Sequence, residues 1–139
     1  MPSAARAFDR GRKIRGMEFS VIEHNGVKVV EAMADGSAVL TGNNVLDAIV
    51  ACGENETDRL LAHAASLPTR FFDLKSGEAG EILQKLRTYR IRLALVGGLA
   101  DAAASRRFSE MMIEENRQRW FHMFATPDAA VAWLANPKG

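Results

Sequence analysis

Few residues in this chain of 139 could carry chemistry, and they are scattered. The nucleophile candidates are Cys52, its single cysteine, and Ser76; the acid–base candidates are its three histidines, His24, His63 and His122. Nucleophilic catalysis would need Cys52 or Ser76 beside His63 or His122, with a carboxylate to orient the imidazole. Cys52 and His63 are near in sequence, but a helix carrying the first and a strand carrying the second give their side chains no reason to meet. The histidines lack metal-ligand spacing. No HExxH, P-loop, GxSxG or paired cysteines occur. No catalytic residue, metal or cofactor is therefore expected, and an enzyme of unknown class ranks behind a binding module.

The best-furnished stretch is a corner made of Asp73, Lys75, Ser76 and Gly77. A serine hydroxyl at a helix start can accept a bond from an orphan backbone N–H. Lys75 adds a cation, and Gly77 and Gly80 are small enough for close approach. Such a helix terminus can accept an anion, or carry a phosphate on Ser76 at the positive end of the helix dipole. The plainer reading is an ordinary cap followed by a turn glycine.

The elements that must position this corner can be read from periodicity. Ala79, Ile82, Leu83 and Leu86 recur at i, i+3, i+4 and i+7, one apolar stripe of a helix. Its charges follow the dipole, with Glu78 and Glu81 early and Lys85, Arg87 and Arg90 late. Ile91–Val96 is apolar nearly throughout, as in a strand covered on both faces, and Gly97-Gly98 ends it. Upstream, Asn25-Gly26 predicts a two-residue hairpin turn within Phe19–Met33. His24 flanks that turn and is expected to be exposed. Asp35-Gly36 marks a further turn, and Ala38–Leu40 a short strand. Asn44, with Asp47 three residues on, resembles a cap pairing for a helix in which Val45, Leu46, Ile49 and Val50 face inward. Gly53 is its expected stop, and Cys52 a small buried hydrophobe.

Leu60–Ala65 fits helix or strand by pattern; the break at Ser66-Leu67-Pro68 favours a strand at Arg59–Ala64. His63 is then a hydrogen-bonded core histidine or a residue near the strand's carboxyl end. Asp101–Asn116 reads as one helix with Ala104, Phe108, Met111, Met112 and Glu115 near one stripe. Trp120–Phe124 reads as a strand containing His122. Thr126-Pro127-Asp128 is the clearest helix start, with a threonine cap, a proline at the first position and a carboxylate in the first turn; Asn136-Pro137 closes that helix.

The order β-β-(β)-α-β-α-β-α-β-α implies an α/β fold: a mixed, mostly parallel sheet with an N-terminal hairpin and about four covering helices. Residues 17–139 make one domain. Residues 1–16 hold five cations against one carboxylate and lack periodicity; they are expected to be a basic flexible extension, an over-long start before Met17, or a polybasic arm. The remainder has 13 basic and 16 acidic residues, unlike a basic nucleic-acid module. No apolar run approaches a membrane span. The lone cysteine fits a reducing compartment, so a cytoplasmic location is expected.

The run Phe71-Phe72-Asp73-Leu74, Ser76-Gly77, Ala79-Gly80-Glu81-Ile82, Gln84-Lys85 and Tyr89 resembles the signature of a bacterial family catalogued as domain of unknown function 4180. Phe108, Ile113, Glu115-Asn116-Arg117 and Ala129–Leu134 fit the second half of that family. The resemblance spans roughly residues 27–135 and implies no activity. A wider resemblance is to the STAS-like fold of anti-sigma-factor antagonists, where a strand leads through a D-[ST]-[ST]-G-type corner into a helix. It implies that Ser76-Gly77 occupies the place of a phosphorylatable serine, with Asp73 as acidic partner. In this chain Leu74 and Lys75 separate the two.

These readings converge on a regulatory or interaction domain that binds a protein partner through Asp73, Lys75, Ser76 and Gly77, under a phospho-switch on Ser76. The alternative is a sensor for a small anionic ligand or nucleotide, using the same corner or the Gly97-Gly98 loop. A homo-oligomer is compatible with the sequence, whereas nucleic acid and membrane are not favoured partners.

Overall fold

The sheet follows the chain. In a computed structural model that describes residues 9–14, 17–34 and 40–136, the strands are β1 (Asp9–Ile14), β2 (Met17–His24), β3 (Val27–Ala34), β4 (Arg59–His63), β5 (Arg92–Val96) and β6 (Phe121–Phe124). They lie side by side in that order. β1 to β3 are antiparallel, and β3 to β6 are parallel. Asn25 and Gly26 close the β2–β3 hairpin with positive φ at both positions, 53° and 79°, the geometry whose twist suits a two-residue turn.

β1 corrects part of the sequence expectation. It lies inside the basic segment read as flexible, yet Arg12 stands opposite Phe19 and Ile14 opposite Met17. An edge strand is held by backbone hydrogen bonds, which need no apolar pattern. The rest of that extension, the Asp35-Gly36 turn, and residues 38 and 39 of the expected Ala38–Leu40 strand lie outside the described residues. Leu40 itself is coil, and its N–H donates to the Ser66 carbonyl at 2.6 Å.

The helices are α1 (Val45–Glu54), α2 (Glu78–Thr88), α3 (Leu99–Ala103), α4 (Arg106–Arg117) and α5 (Pro127–Ala135). Alternation along the strands divides the core into two layers. Val30, Ala32, Leu60, Ala62, Leu93, Leu95, Phe121 and Met123 face α1, α2 and α4. Ile22, Val29, Leu61 and Ala94 face the other way and are covered by Ala130, Val131 and Leu134 of α5. Among the described residues no helix is long and apolar enough to cross a membrane.

Two helices differ from the expectation. In α1 the buried stripe is Val45, Ala48, Ile49 and Cys52, while Leu46 and Val50 are 43% and 51% exposed. Asn44 turns its side chain back to accept the Thr41 N–H at 2.6 Å and makes no cap bond into the helix. Gly53 does not stop α1, which ends at Glu54. The expected Asp101–Asn116 helix is broken at Ala104, because Ser105 caps a new start by accepting the Phe108 N–H at 3.1 Å. Phe108 is thereby buried while Ala104 is left exposed.

Helices α1, α2 and α4 all end in the same way. The N–H of Ile91 reaches the Leu86 carbonyl at 2.8 Å and that of Arg90 reaches Arg87 at 2.9 Å, with Arg90 left-handed at φ 59°. Thr57 and Glu56 repeat the pattern behind α1, as do Trp120 and Arg119 behind α4. Each is a Schellman ending with a charged residue where glycine is the usual choice.

Candidate functional site

Between β4 and α2 the chain crosses the carboxyl edge of the sheet in three short 3-10 turns, Ala64–Ser66, Thr69–Phe72 and Leu74–Ser76. Phe71 anchors this crossing. It is fully buried and packs edge-on against Phe72, Phe108 and Phe121 at centroid distances of 5.2, 5.6 and 6.3 Å.

Ser76 is displaced by one residue from its expected role. The cap position of α2 belongs to Gly77, whose φ of 81° is left-handed. Ser76 ends the last 3-10 turn, donates its hydroxyl to the Arg70 carbonyl at 2.6 Å and accepts the Glu78 N–H at 3.2 Å. It thus serves the first N–H of α2 from just outside the helix. Asp73 Oδ1 accepts the Lys75 N–H at 3.1 Å. Lys75, Ser76 and Gly77 are exposed.

The rigid support beneath the corner is Glu78, a residue the sequence marks only as a first-turn charge. Its buried carboxylate accepts the Gly42 N–H at 2.7 Å and pairs with Arg70 Nε at 2.9 Å. Burial alone would raise this carboxyl, but the Gly42 N–H and the Arg70 guanidinium hold it below the usual carboxylate range. Lys85 completes the grip by donating to the Gly42 carbonyl at 2.6 Å and to Glu81 at 3.1 Å. Glu81 and Lys85 of the signature run therefore clamp the loop before α1 onto α2.

Asp73 separates from the rest of the corner and borders a cavity of about 330 Å³. Its apolar lining is Ala64, Leu67, Phe72 and Ala104; its polar lining is Thr69, Asp73, Asp101 and Ser105. Lys75, Ser76 and Gly77 do not border it. The Gly97-Gly98 loop packs against two residues of the lining, since a Cβ on Gly98 (φ 75°) would lie 2.7 Å from Phe72 Cζ and 2.9 Å from Ala64 Cβ. The cavity thus lies outside the carboxyl ends of parallel strands, where ligands of open α/β sheets bind.

The candidate nucleophiles and bases are kept apart. Cys52 lies in the α1–α2 layer, whereas His63 points to the α5 side, where its Nε2 meets Glu31 Oε2 at 2.7 Å. Burial, aided by the charge of Asp58, pushes the Cys52 thiol up to about 12. The Ser76 hydroxyl bonds backbone groups alone. His122 packs on Phe124 and Trp133, and burial lowers its basicity. His24 flanks the hairpin turn and is half-buried rather than open.

Residues that sequence reasoning passed over are Glu31, Gly42, Arg70 and Asp101. The one available signal was Glu31, a lone carboxylate in the apolar run Val27–Ala34.

Fold and site together define an α/β domain with an acidic cavity at the carboxyl edge of its sheet. The chain belongs to the family described as a domain of unknown function (DUF4180), whose model matches residues 24–134. Neither curated proteins nor solved structures yield a match.

Proposed function

We propose that this protein is a regulatory module of the STAS-like kind, which binds a protein partner through the Ser76 corner and performs no catalysis itself. The observation that carries this reading is Gly80. A glycine inside a helix costs about 0.5–1 kcal/mol relative to alanine. Yet Gly80 is exposed in α2, and nothing lies within 4 Å of the place its Cβ would take. Packing within the described residues gives no reason for it, whereas a partner backbone approaching α2 would.

Gly80 lies one turn beyond Lys75, Ser76 and Gly77, and all four are exposed on a start held firm by Glu78. The sequential order β3-β4-β5-β6, with helical structure after every one of these strands, supports the STAS-like comparison. One departure is that Phe71–Leu74 lies in 3-10 turns where that comparison has a strand. A phosphate on Ser76 would end its donation to Arg70 and set a dianion beside Lys75 at the α2 terminus, altering the docking surface. A buried, unpaired cysteine is in keeping with a bacterial cytoplasm.

The test compares wild type, Gly80→Gln and Ser76→Asp as baits in the native host, with melting curves recorded for each. A partner retained by wild type and lost by both variants, at unchanged or higher melting temperature, supports the reading. Identical captures by all three baits would end it.

A further inference from the structure

We propose that the cavity beside Asp73 binds a small primary ammonium compound with a compact apolar body, a second function independent of the Ser76 surface. Its volume of about 330 Å³ is at the lower end of ligand pockets, which run from roughly 300 to 1,000 Å³. That size suits a metabolite-sized amine rather than a nucleotide.

Charge selects the sign of the ligand. Two carboxylates, Asp73 and Asp101, border the cavity, and among the described residues no lysine, arginine or histidine does. Arg70 and Arg106 are engaged elsewhere, with Glu78 at 2.9 Å and Glu110 at 3.3 Å, and Lys75 does not border the cavity. Asp101 makes no hydrogen bond or ion pair among the described residues. Asp73 spends Oδ1 on the Lys75 N–H and keeps Oδ2 for a ligand.

Donor count selects the ammonium type. Thr69 and Ser105, each carrying a hydroxyl, border the same space. The Ser105 oxygen already accepts the Phe108 N–H, and a hydroxyl oxygen has a second lone pair. Three N–H donors on a primary ammonium match such acceptors, as no quaternary ammonium could. Phe72 supplies apolar lining for the ligand's body. Gly98 holds that lining in place, because any side chain there would drive into Phe72 and Ala64.

The experiment records amide shifts of the full chain by two-dimensional NMR during titration with n-butylamine, n-butanol and butyrate. Butylamine should shift the amides of residues 69–73 and 101–105, with neither n-butanol nor butyrate doing so. Asp101→Asn and Asp73→Asn should each weaken the amine at least tenfold; the asparagine at position 73 retains an acceptor for Lys75. Equal binding of n-butanol or butyrate would overturn the assignment, as would the absence of any shift with butylamine. Unweakened binding in both variants would overturn it too. Asp101→Asn, which lies outside the Ser76 corner, leaves partner capture through Ser76 unaffected, so the two proposals fail separately.

Discussion

His63 at the end of β4 and Glu31 in β3 face each other at 2.7 Å on the α5 side of the sheet. The pair joins two parallel strands through side chains as well as backbone, and both residues are largely removed from water, with side chains 23% and 7% exposed. Removing Glu31 takes from His63 Nε2 its carboxylate partner, and removing His63 takes one partner from Glu31. Glu31→Ala, His63→Ala and the double variant should therefore give a coupling energy of about 1–2 kcal/mol in a urea-denaturation cycle. Additive single effects would show that the contact contributes nothing.

Glu78 sets a pH dependence. A carboxyl held below its unfolded value, about 4.3 for glutamate, stabilises the fold above that pH and loses its contribution as pH falls through the folded value. Glu78 is such a group, through Gly42 and Arg70. Glu78→Gln should be less stable than wild type by roughly 1–2 kcal/mol at pH 7. The gap should close as the solution is taken below pH ~4. A gap that is constant with pH would place its origin in packing.

Gly98 is constrained twice, by its φ of 75° and by Phe72 and Ala64 at 2.7 and 2.9 Å from a would-be Cβ. Gly98→Ala should cost about 2–4 kcal/mol by thermal or chemical denaturation. Gly42→Ala offers the contrast. The three atoms nearest its Cβ would all belong to the Glu81 side chain, and that half-exposed chain can swing aside. Its cost should stay under about 1 kcal/mol. The reverse ranking would mean that the loop on α2 is stiffer than the cavity lining.

Arg90 is left-handed at φ 59° and exposed, with its backbone closing α2. Glycine removes the steric cost of that conformation. Arg90→Gly should raise stability by about 0.5–1 kcal/mol, net of the added freedom of the unfolded chain. A fall in stability would assign a role to the arginine side chain.

Cys52 is inert by placement. With its thiol pushed to about 12, the thiolate population at pH 8 is on the order of 10⁻⁴. Labelling by a disulfide reagent should track global unfolding, measured against urea concentration. Fast labelling of the folded protein would contradict the burial of this helix face.

The sequence by itself determined what short-range signals encode. Asn25-Gly26 specifies a hairpin because both residues tolerate positive φ. Thr126-Pro127 specifies the start of α5 because the threonine hydroxyl takes the Ala129 N–H at 3.2 Å. The apolar Arg92–Val96 run specifies a strand covered on both faces, and the α2 stripe specifies the helix beside the Ser76 corner. The DUF4180 signature was legible for the same reason, being contiguous.

Only the tertiary structure decided the rest. Which side of α1 is buried depended on what α1 packs against, since Leu46 and Val50 are as apolar as Val45 and Ile49. Helix ends were hidden because Glu56, Arg90 and Arg119 take the left-handed positions where glycine is the usual mark. His63, a partner of Glu31, and Gly42, a partner of Glu78, lie 32 and 36 positions away, distances at which local pattern carries no information. The site itself changed in the same way. Ser76 keeps an exposed surface, while Asp73 borders a cavity together with Asp101, a juxtaposition made by two loops that meet only once β4 and β5 are paired.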